Sequence, residues 1–332
     1  MAHVTAPLPP PRSIAAVGFG LRAPVTGDAR LVADLMGSPD VSGRPTEIVR
    51  AWRAHWDEHG YGAWVVEDGE GARAGFVGLR AHTDVIRVTV RTREREGGED
   101  LAARSLRAAL AHAIEWLPDV PLRMRVAADD LTTRSVAESA GMVHVAELDH
   151  AVDGQEWQVL ELPYLRIADR LPARAREALL DMWVAVNDAG GAVGFLPGAS
   201  REDVSAVLDG YEARLERGDT VCVALNSPLG GLLGFGFVVG STGVLMGHGA
   251  TLERVMTDPA RRGTHHGALL MAGLHRAARE RGVELVTLDY RGGTGLGAFY
   301  ARHGYAEVGR VPGAIRVAPG DDRDCVIMAR AL

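Results

Sequence analysis

The sequence predicts an α/β fold used twice in tandem, and three observations carry that reading. Runs that alternate apolar and polar residues with period 2 lie between segments of helical period. The order of these elements in the first half recurs in the second, as duplication would leave it. At 332 residues and 47% hydrophobic content, the chain exceeds the size at which a single core stops growing, so two domains are the default.

Residues 1–12 read as a Pro-rich disordered lead, residues 13–163 as one domain and residues 164–332 as the other, with the junction near Leu162-Pro163-Tyr164. In the first, a helix over 46–55 precedes strands at 62–66 and 74–79. A strand over 85–90, a turn and a helix over 101–116 follow, then a strand at 122–126, a short helix and Ala140-Gly141-Met142. In the second, helices over 173–186 and 201–217 precede strands at 220–224 and 232–239. After these come a strand over 251–257, a helix over 268–281, a strand from 285, and further strands at 306–311 and 325–328.

A net charge of -7 and a pI near 6.0 argue against general binding of nucleic acid or anionic membrane, so neither is expected as a partner. No apolar run approaches the ~20 residues that span a bilayer, and the first residues lack the apolar core of a secretion signal, so the expected location is cytoplasmic. Cys222 and Cys325 are too far apart to suggest a metal site or a disulfide framework, and both are expected to be buried, inert thiols. The 36 basic residues are all arginine, which a genome rich in G and C explains together with the abundant Ala, Gly and Val.

The most informative segment runs from Val255 to Leu270: a strand, a short basic turn with glycines, and a helix start. Amide hydrogens at a helix N-terminus carry partial positive charge, glycine admits phosphate oxygens close to the main chain, and Arg261 and Arg262 add planar cationic donors. The helix that follows puts Leu270, Leu274, Ala277 and Ala278 on one face. Arg262-Gly263-Thr264-His265-His266-Gly267 resembles the RxxGxG or RxxGxA turn of the GNAT acetyltransferase superfamily, which usually has glycine where His265 stands. Thr287–Tyr290, Ala298–Tyr305 and Val308–Gly313 resemble a GNAT subgroup that acetylates amines on small molecules, and Thr132–Met142 gives the first half a GNAT look as well.

The resemblance implies two GNAT-type domains, each a mixed, mostly antiparallel sheet flanked by helices. It implies an N-acetyltransferase that carries an acetyl group from acetyl-CoA to a small-molecule amine by direct attack in a ternary complex. The thioester would lie between the strands at 251–257 and 285–289, along Val255, Met256 and Thr257, with the Met256 amide donating to its carbonyl. Arg261, Arg262, Gly263, Thr264, His265, His266, Gly267 and Ala268 would hold the pyrophosphate. Glu253 is the general-base candidate, against a plain strand glutamate paired with an arginine. Tyr300 is the candidate acid for the departing thiolate, against a packing aromatic beside Phe299.

His248 is an alternative base, although a loop histidine without function is commoner, and Asp289 either binds the acceptor or closes a strand end. No metal is expected: the adjacent His265 and His266 diverge, and no carboxylate or cysteine completes a tetrahedral set with His248. Acceptor specificity is expected from loops at 187–200 and 312–324, the latter with Asp321, Asp322 and Asp324, which suit a cationic amine and equally a merely solvated turn. Two other functions remain open, an acyltransferase for longer acyl-CoA or carrier-protein thioesters and a non-catalytic ligand-binding GNAT-fold protein. The sequence does not indicate an oligomeric state.

The first half reads as worn at the chemical positions. With Arg95 set against Arg262, a constant offset puts Asp100 opposite Gly267, adds Glu96 and Glu99 to the turn, and sets Ile86 opposite Glu253. Matching Gly141 to Gly304 sets Ala137 opposite Tyr300. Three carboxylates around a pyrophosphate would repel it.

Overall fold

The structure is a computed structural model and describes residues 10–37, 43–93 and 98–332. Most of the expected lead, residues 1–9, lies outside that range, as do Arg95, Glu96 and the side chains of Glu99 and Asp100. The described chain forms two compact units that divide between Tyr164 and Leu165.

The first unit opens with β1 (Ser13–Ala16) and β2 (Phe19–Arg22), then α1 (Ala29–Leu35) and α2 (Arg44–His59). The hairpins β3 (Ala63–Asp68), β4 (Arg73–His82) and β5 (Val85–Thr92) follow, then α3 (Gly98–Trp116), β6 (Leu122–Ala127) and α4 (Leu131–Ser139). It closes with β7 (Val143–His144), β8 (His150–Val152) and β9 (Gln155–Glu161). The strand order is β1-β2-β3-β4-β5-β6-β9-β7, with β8 also on β9. All its pairings are antiparallel except β5 with β6. Period-2 alternation explains why one face is dry: Ile86, Val88 and Val90 of β5 and Leu122, Met124 and Val126 of β6 are all buried.

The short strands β1, β2, β7, β8 and β9 were not expected from the sequence. At their head sits a buried carboxylate. Asp28 is fully buried and accepts both Arg22 guanidinium nitrogens at 2.9 Å, while Arg22 Nε reaches Glu67 at 2.6 Å. A buried charge is tolerable only with such pairing.

The second unit carries β10 (Tyr164–Ala168), α5 (Ala173–Asp188), α6 (Arg201–Glu216), β11 (Thr220–Asn226), β12 (Leu232–Gly240) and β13 (Gly249–Thr257). Then come α7 (His266–Glu280), β14 (Leu285–Arg291), α8 (Leu296–Arg302), β15 (Ala306–Ala318) and β16 (Asp321–Ala331). The order is β10-β11-β12-β13-β14-β16-β15, and β13 with β14 is parallel, whereas β11–β12, β12–β13, β14–β16 and β15–β16 are antiparallel. Both units are thus mixed sheets flanked by helices, as the sequence implies. Trp183, Leu208, Tyr211, Phe235, Phe237 and Met256 centre the core beneath α5 and α6. On α7, Leu270, Leu274, Ala277 and Ala278 are at most 1% exposed, which fits the expected amphipathic face.

Two expectations are corrected here. Residues 312–324 are not an open loop but the two arms of the β15–β16 hairpin, and their carboxylates are engaged: Asp321 with Arg323, Asp322 with Arg316, and Asp324 with Arg310 and the Gly313 amide. His248, for which a loop residue without function is the commoner reading, is exposed immediately before β13, at the opposite end of that strand from the turn. Cys325 is only half-buried, with its Sγ 3.7 Å from Asp289, whereas Cys222 is buried as expected.

Candidate active site

The two strands that would hold a thioester separate where one would enter. β13 and β14 pair at Gly249 with Leu285, Ala250 with Val286 and Thr251 with Thr287, and no further. β14 remains paired to β16 as far as Arg291, so β13 turns away and leaves its own edge open from Leu252 onward.

A bulge in β13 accompanies the separation. Phe235 pairs with Met256 and Phe237 with Glu253, so two steps along β12 match three along β13. Arg254 takes up the extra residue at φ 55° and lays its guanidinium over the Trp183 ring, 5.5 Å from the centroid. A left-handed conformation costs a non-glycine residue roughly 1–2 kcal/mol, which the Trp183 contact helps to offset.

On the helix-covered face before the bulge stands Glu253. Its Oε2 accepts the Tyr211 hydroxyl at 2.5 Å and lies 3.7 Å from Arg214, while Oε1 has no hydrogen-bond partner among the described residues. Tyr211 is itself fixed, stacked on Phe237 at 4.1 Å and 12° and only 4% exposed. Burial first, and then Glu253, holds its phenol well above the ordinary tyrosine range. Tyr211 was missed by sequence reasoning. Its only signal is its place on the apolar stripe Val204, Leu208, Tyr211 and Leu215 of α6.

The open edge also corrects the expected carbonyl donor. Asp258 donates its amide to Leu233 at 3.0 Å, so by antiparallel alternation Met256, two residues earlier and opposite Phe235, directs its N–H at β12. Its amide is used within the sheet. Val255 and Thr257, adjacent in the alternation, turn theirs toward the open edge.

The turn beyond β13 is built by its own side chains. Asp258 caps the Ala260 amide at 2.9 Å and pairs with Arg261 at 3.4 Å. Thr264 donates to the Arg261 carbonyl at 2.6 Å, so His266 must donate from Nδ1 to the Thr264 hydroxyl at 2.9 Å. His266 is 4% exposed and braces the turn from inside. His265 is the residue before α7 and adopts φ 67°, which explains the glycine preference of this position and its tolerance of histidine, enriched among non-glycine left-handed residues. The backbone amides of Arg262, Gly263, Thr264 and Gly267 donate to no carbonyl among the described residues. Arg262 is exposed, with Nη2 3.5 Å from the Ala189 carbonyl.

Tyr300 lies on α8, 7% exposed, with ring centroids of Phe299, Tyr290 and Tyr305 at 5.2, 5.9 and 6.0 Å. Burial, then Asp289 and Tyr290, pushes its phenol up to about 12. It is therefore a protonated donor throughout the neutral range.

In the first unit, the pairing of Ala137 with Tyr300 has a structural counterpart. Met142 donates its amide to the Ala137 carbonyl at 3.1 Å and Tyr305 donates to Tyr300 at 3.2 Å, each around a left-handed glycine, Gly141 or Gly304. The pairing of Ile86 with Glu253 fails. Gly78 with Thr89 occupies the place of Phe237 with Glu253, since Gly75 and Gly234 both press against the next strand and mark the same step. Thr89, not Ile86, is the counterpart of Glu253. The constant offset fails because β5 lacks the bulged residue, and because five residues, 93–97, join strand to helix where the second unit uses eight, 258–265.

Among the described residues no cluster of metal-ligating side chains is present, and no helix is long and apolar enough to cross a membrane. A family profile described as "Acetyltransferase (GNAT) domain" matches residues 19–143, and another with the same description matches residues 217–307. Solved structures are similar at low identity. An acetyltransferase of the GNAT family from Streptococcus pneumoniae is 13% identical, TM-score 0.42, over 51% of this chain and 99% of its own. A ribosomal-protein-alanine N-acetyltransferase from Brucella melitensis is 20% identical, TM-score 0.41, over 51% and 99%. An N-acetyltransferase from Staphylococcus aureus Mu50 is 11% identical, TM-score 0.41, over 50% and 98%. No curated protein matches. The chain belongs to the GNAT acetyltransferases, with two such domains in tandem.

Proposed function

We propose that the second domain is an N-acetyltransferase that moves an acetyl group from acetyl-CoA to an amine of a small molecule within a ternary complex. The observation that carries this reading is the coincidence, on one strand, of an open edge, a bulge and a carboxylate with one oxygen that has no hydrogen-bond partner among the described residues. Amides of Val255 and Thr257 are available there as donors to the thioester and pantetheine, and the turn at 261–268 offers amides and two arginines to the pyrophosphate.

Glu253 Oε1 takes a proton from the acceptor ammonium, directly or through a water. The neutral nitrogen attacks the thioester carbonyl and loses its second proton to solvent as the C–S bond breaks and the amide forms, while Tyr300 gives its proton to the departing sulfur of CoA and regains one from solvent. Tyr211 and Arg214 hold the carboxylate from its other oxygen, which fixes its direction. The plain ion pair anticipated for Glu253 has a partner in Arg214 at 3.7 Å, whereas an Oε1 without a hydrogen-bond partner among the described residues supports the catalytic reading.

The test is release of free CoA thiol from acetyl-CoA in the presence of a panel of small amines. Amine-dependent release by the parent protein supports the reading. Binding of acetyl-CoA without release to any amine, or release only from longer acyl thioesters, contradicts it.

A further inference from the structure

The first domain has its own cavity, and nothing in the proposed transfer chemistry uses it. Its volume is about 470 Å³, within the range of small-molecule sites, and Arg87, Arg123, Arg125, Trp157, Leu148 and Val159 are among the residues that line it. It opens on the face of β5 and β6 opposite the dry one.

The charges on this face are arranged against stability. Arg80 of β4 pairs with Arg87 of β5, Arg87 with Arg123 of β6, and Arg123 with Glu161 of β9, so three guanidinium groups follow one another across adjacent strands before one carboxylate appears. Like charges directly opposite one another destabilise a sheet. Glu161 is engaged by Arg123 at 2.6 Å. Arg87 and Arg125 have no ion pair among the described residues, and Arg125 lies over the Trp157 ring at 4.9 Å. Arg87 and Arg125 are exposed to solvent and so open to a ligand, and planar guanidinium groups are matched by the oxygens of carboxylates and phosphates.

We infer that this cavity binds a small organic oxyanion, a carboxylate or phosphate ester with an apolar body, its charge on Arg87 and Arg125 and its body against Leu148, Val159 and Trp157. The charge row selects the head group. The apolar wall selects against inorganic ions.

The experiment is calorimetric titration of the full chain with 3-phenylpropanoate, with phenyl phosphate and with the neutral 3-phenylpropanol. One or both anions bind, and the one that binds tells carboxylate from phosphate ester; the alcohol binds at least about tenfold more weakly. The double substitution Arg87→Gln and Arg125→Gln weakens the anion by about tenfold or more, while the unfolding midpoint holds or rises by about 1–3 °C as repulsion is relieved. Arg50→Gln, on the exposed side of α2, changes neither. Should the double variant not fold, binding by the parent must still weaken at least about fivefold between low and high salt. Equal binding of alcohol and acid, no binding of either anion, or unchanged affinity in the folded double variant would overturn the inference. So would loss of coenzyme A affinity in that variant, which would make the cavity a coenzyme site.

Discussion

In the first sheet, the central hairpin runs in register from Gly75 with Thr92 to Gly78 with Thr89, whereas in the second the same stretch, Phe235 with Met256 to Phe237 with Glu253, admits one residue more on β13. The glycines that press against the next strand, Gly75 and Gly234, and the carbonyls that close the last short helix, at Ala137 and Tyr300, keep their places in both. Duplication has thus preserved backbone landmarks. The strands at the margins of the two sheets differ, and near the landmarks the second unit adds the bulge and carries Glu253 and Tyr300 where the first has Thr89 and Ala137. Two domains can therefore share a fold type while differing in backbone register and side chains at matching positions, and under the proposed function those local differences carry the chemistry.

The sharpest way to break this comparison is at Glu253. Glu253→Gln lowers kcat by roughly 10²–10⁴-fold, while Thr89→Val leaves it within about twofold. Steady-state rates of CoA release check both, and equal losses would remove the distinction. Tyr300→Phe comes next, with a fall in turnover of about 10²-fold and little change in acetyl-CoA affinity. Because burial holds this phenol at about 12, it remains a donor through the neutral and mildly alkaline range, and the parent's rate shows no loss from Tyr300 between about pH 7 and 10.

Two smaller effects concern stability. Asp28→Asn costs the first domain roughly 2 kcal/mol, since Arg22 loses the better of its two carboxylates. Burial alone would raise the Asp28 carboxyl, but hydrogen bonds from Arg22 and the Val25 amide, with the charges of Arg22 and Arg73, bring it below the ordinary range. Its contribution is accordingly full above about pH 4 and is lost as pH falls through the lowered value, so parent and variant converge in acid. Denaturant unfolding at several pH values measures this. His265→Gly gives the smallest change: relief of the left-handed conformation offsets the added entropy of glycine, so the midpoint moves by no more than about 2 °C and acetyl-CoA affinity is retained.

The parts legible in the sequence are those whose signal is local. The strand, turn and helix around Val255 to Leu270 follow from periodicity and the basic glycine-containing turn, and α7 buries the face that Leu270 and Leu274 mark. Strands β1 and β2, four residues each around Gly18, are too short to show a period. The strands at 306–311 and 325–328 are legible, but between them Pro312-Gly313 and Pro319-Gly320 resemble breaks, although Arg316 and Asp322 pair across the β15–β16 hairpin there. At the site, Glu253 and Tyr300 could be proposed from a family pattern, but Tyr211 meets Glu253 across 42 residues of sequence and only the fold joins them. The bulge was not readable at all. No residue type announces it, and Arg254 is an uncommon occupant of a left-handed position.

The central claim, that the second domain alone grips acetyl-CoA through the turn at Arg262, is tested most directly by calorimetric titration of acetyl-CoA into the parent, Arg262→Ala and Arg95→Ala proteins. The account predicts one equivalent bound per chain, with affinity weakened about tenfold or more by Arg262→Ala and unchanged by Arg95→Ala. Two equivalents, or an equal loss from Arg95→Ala, would contradict it.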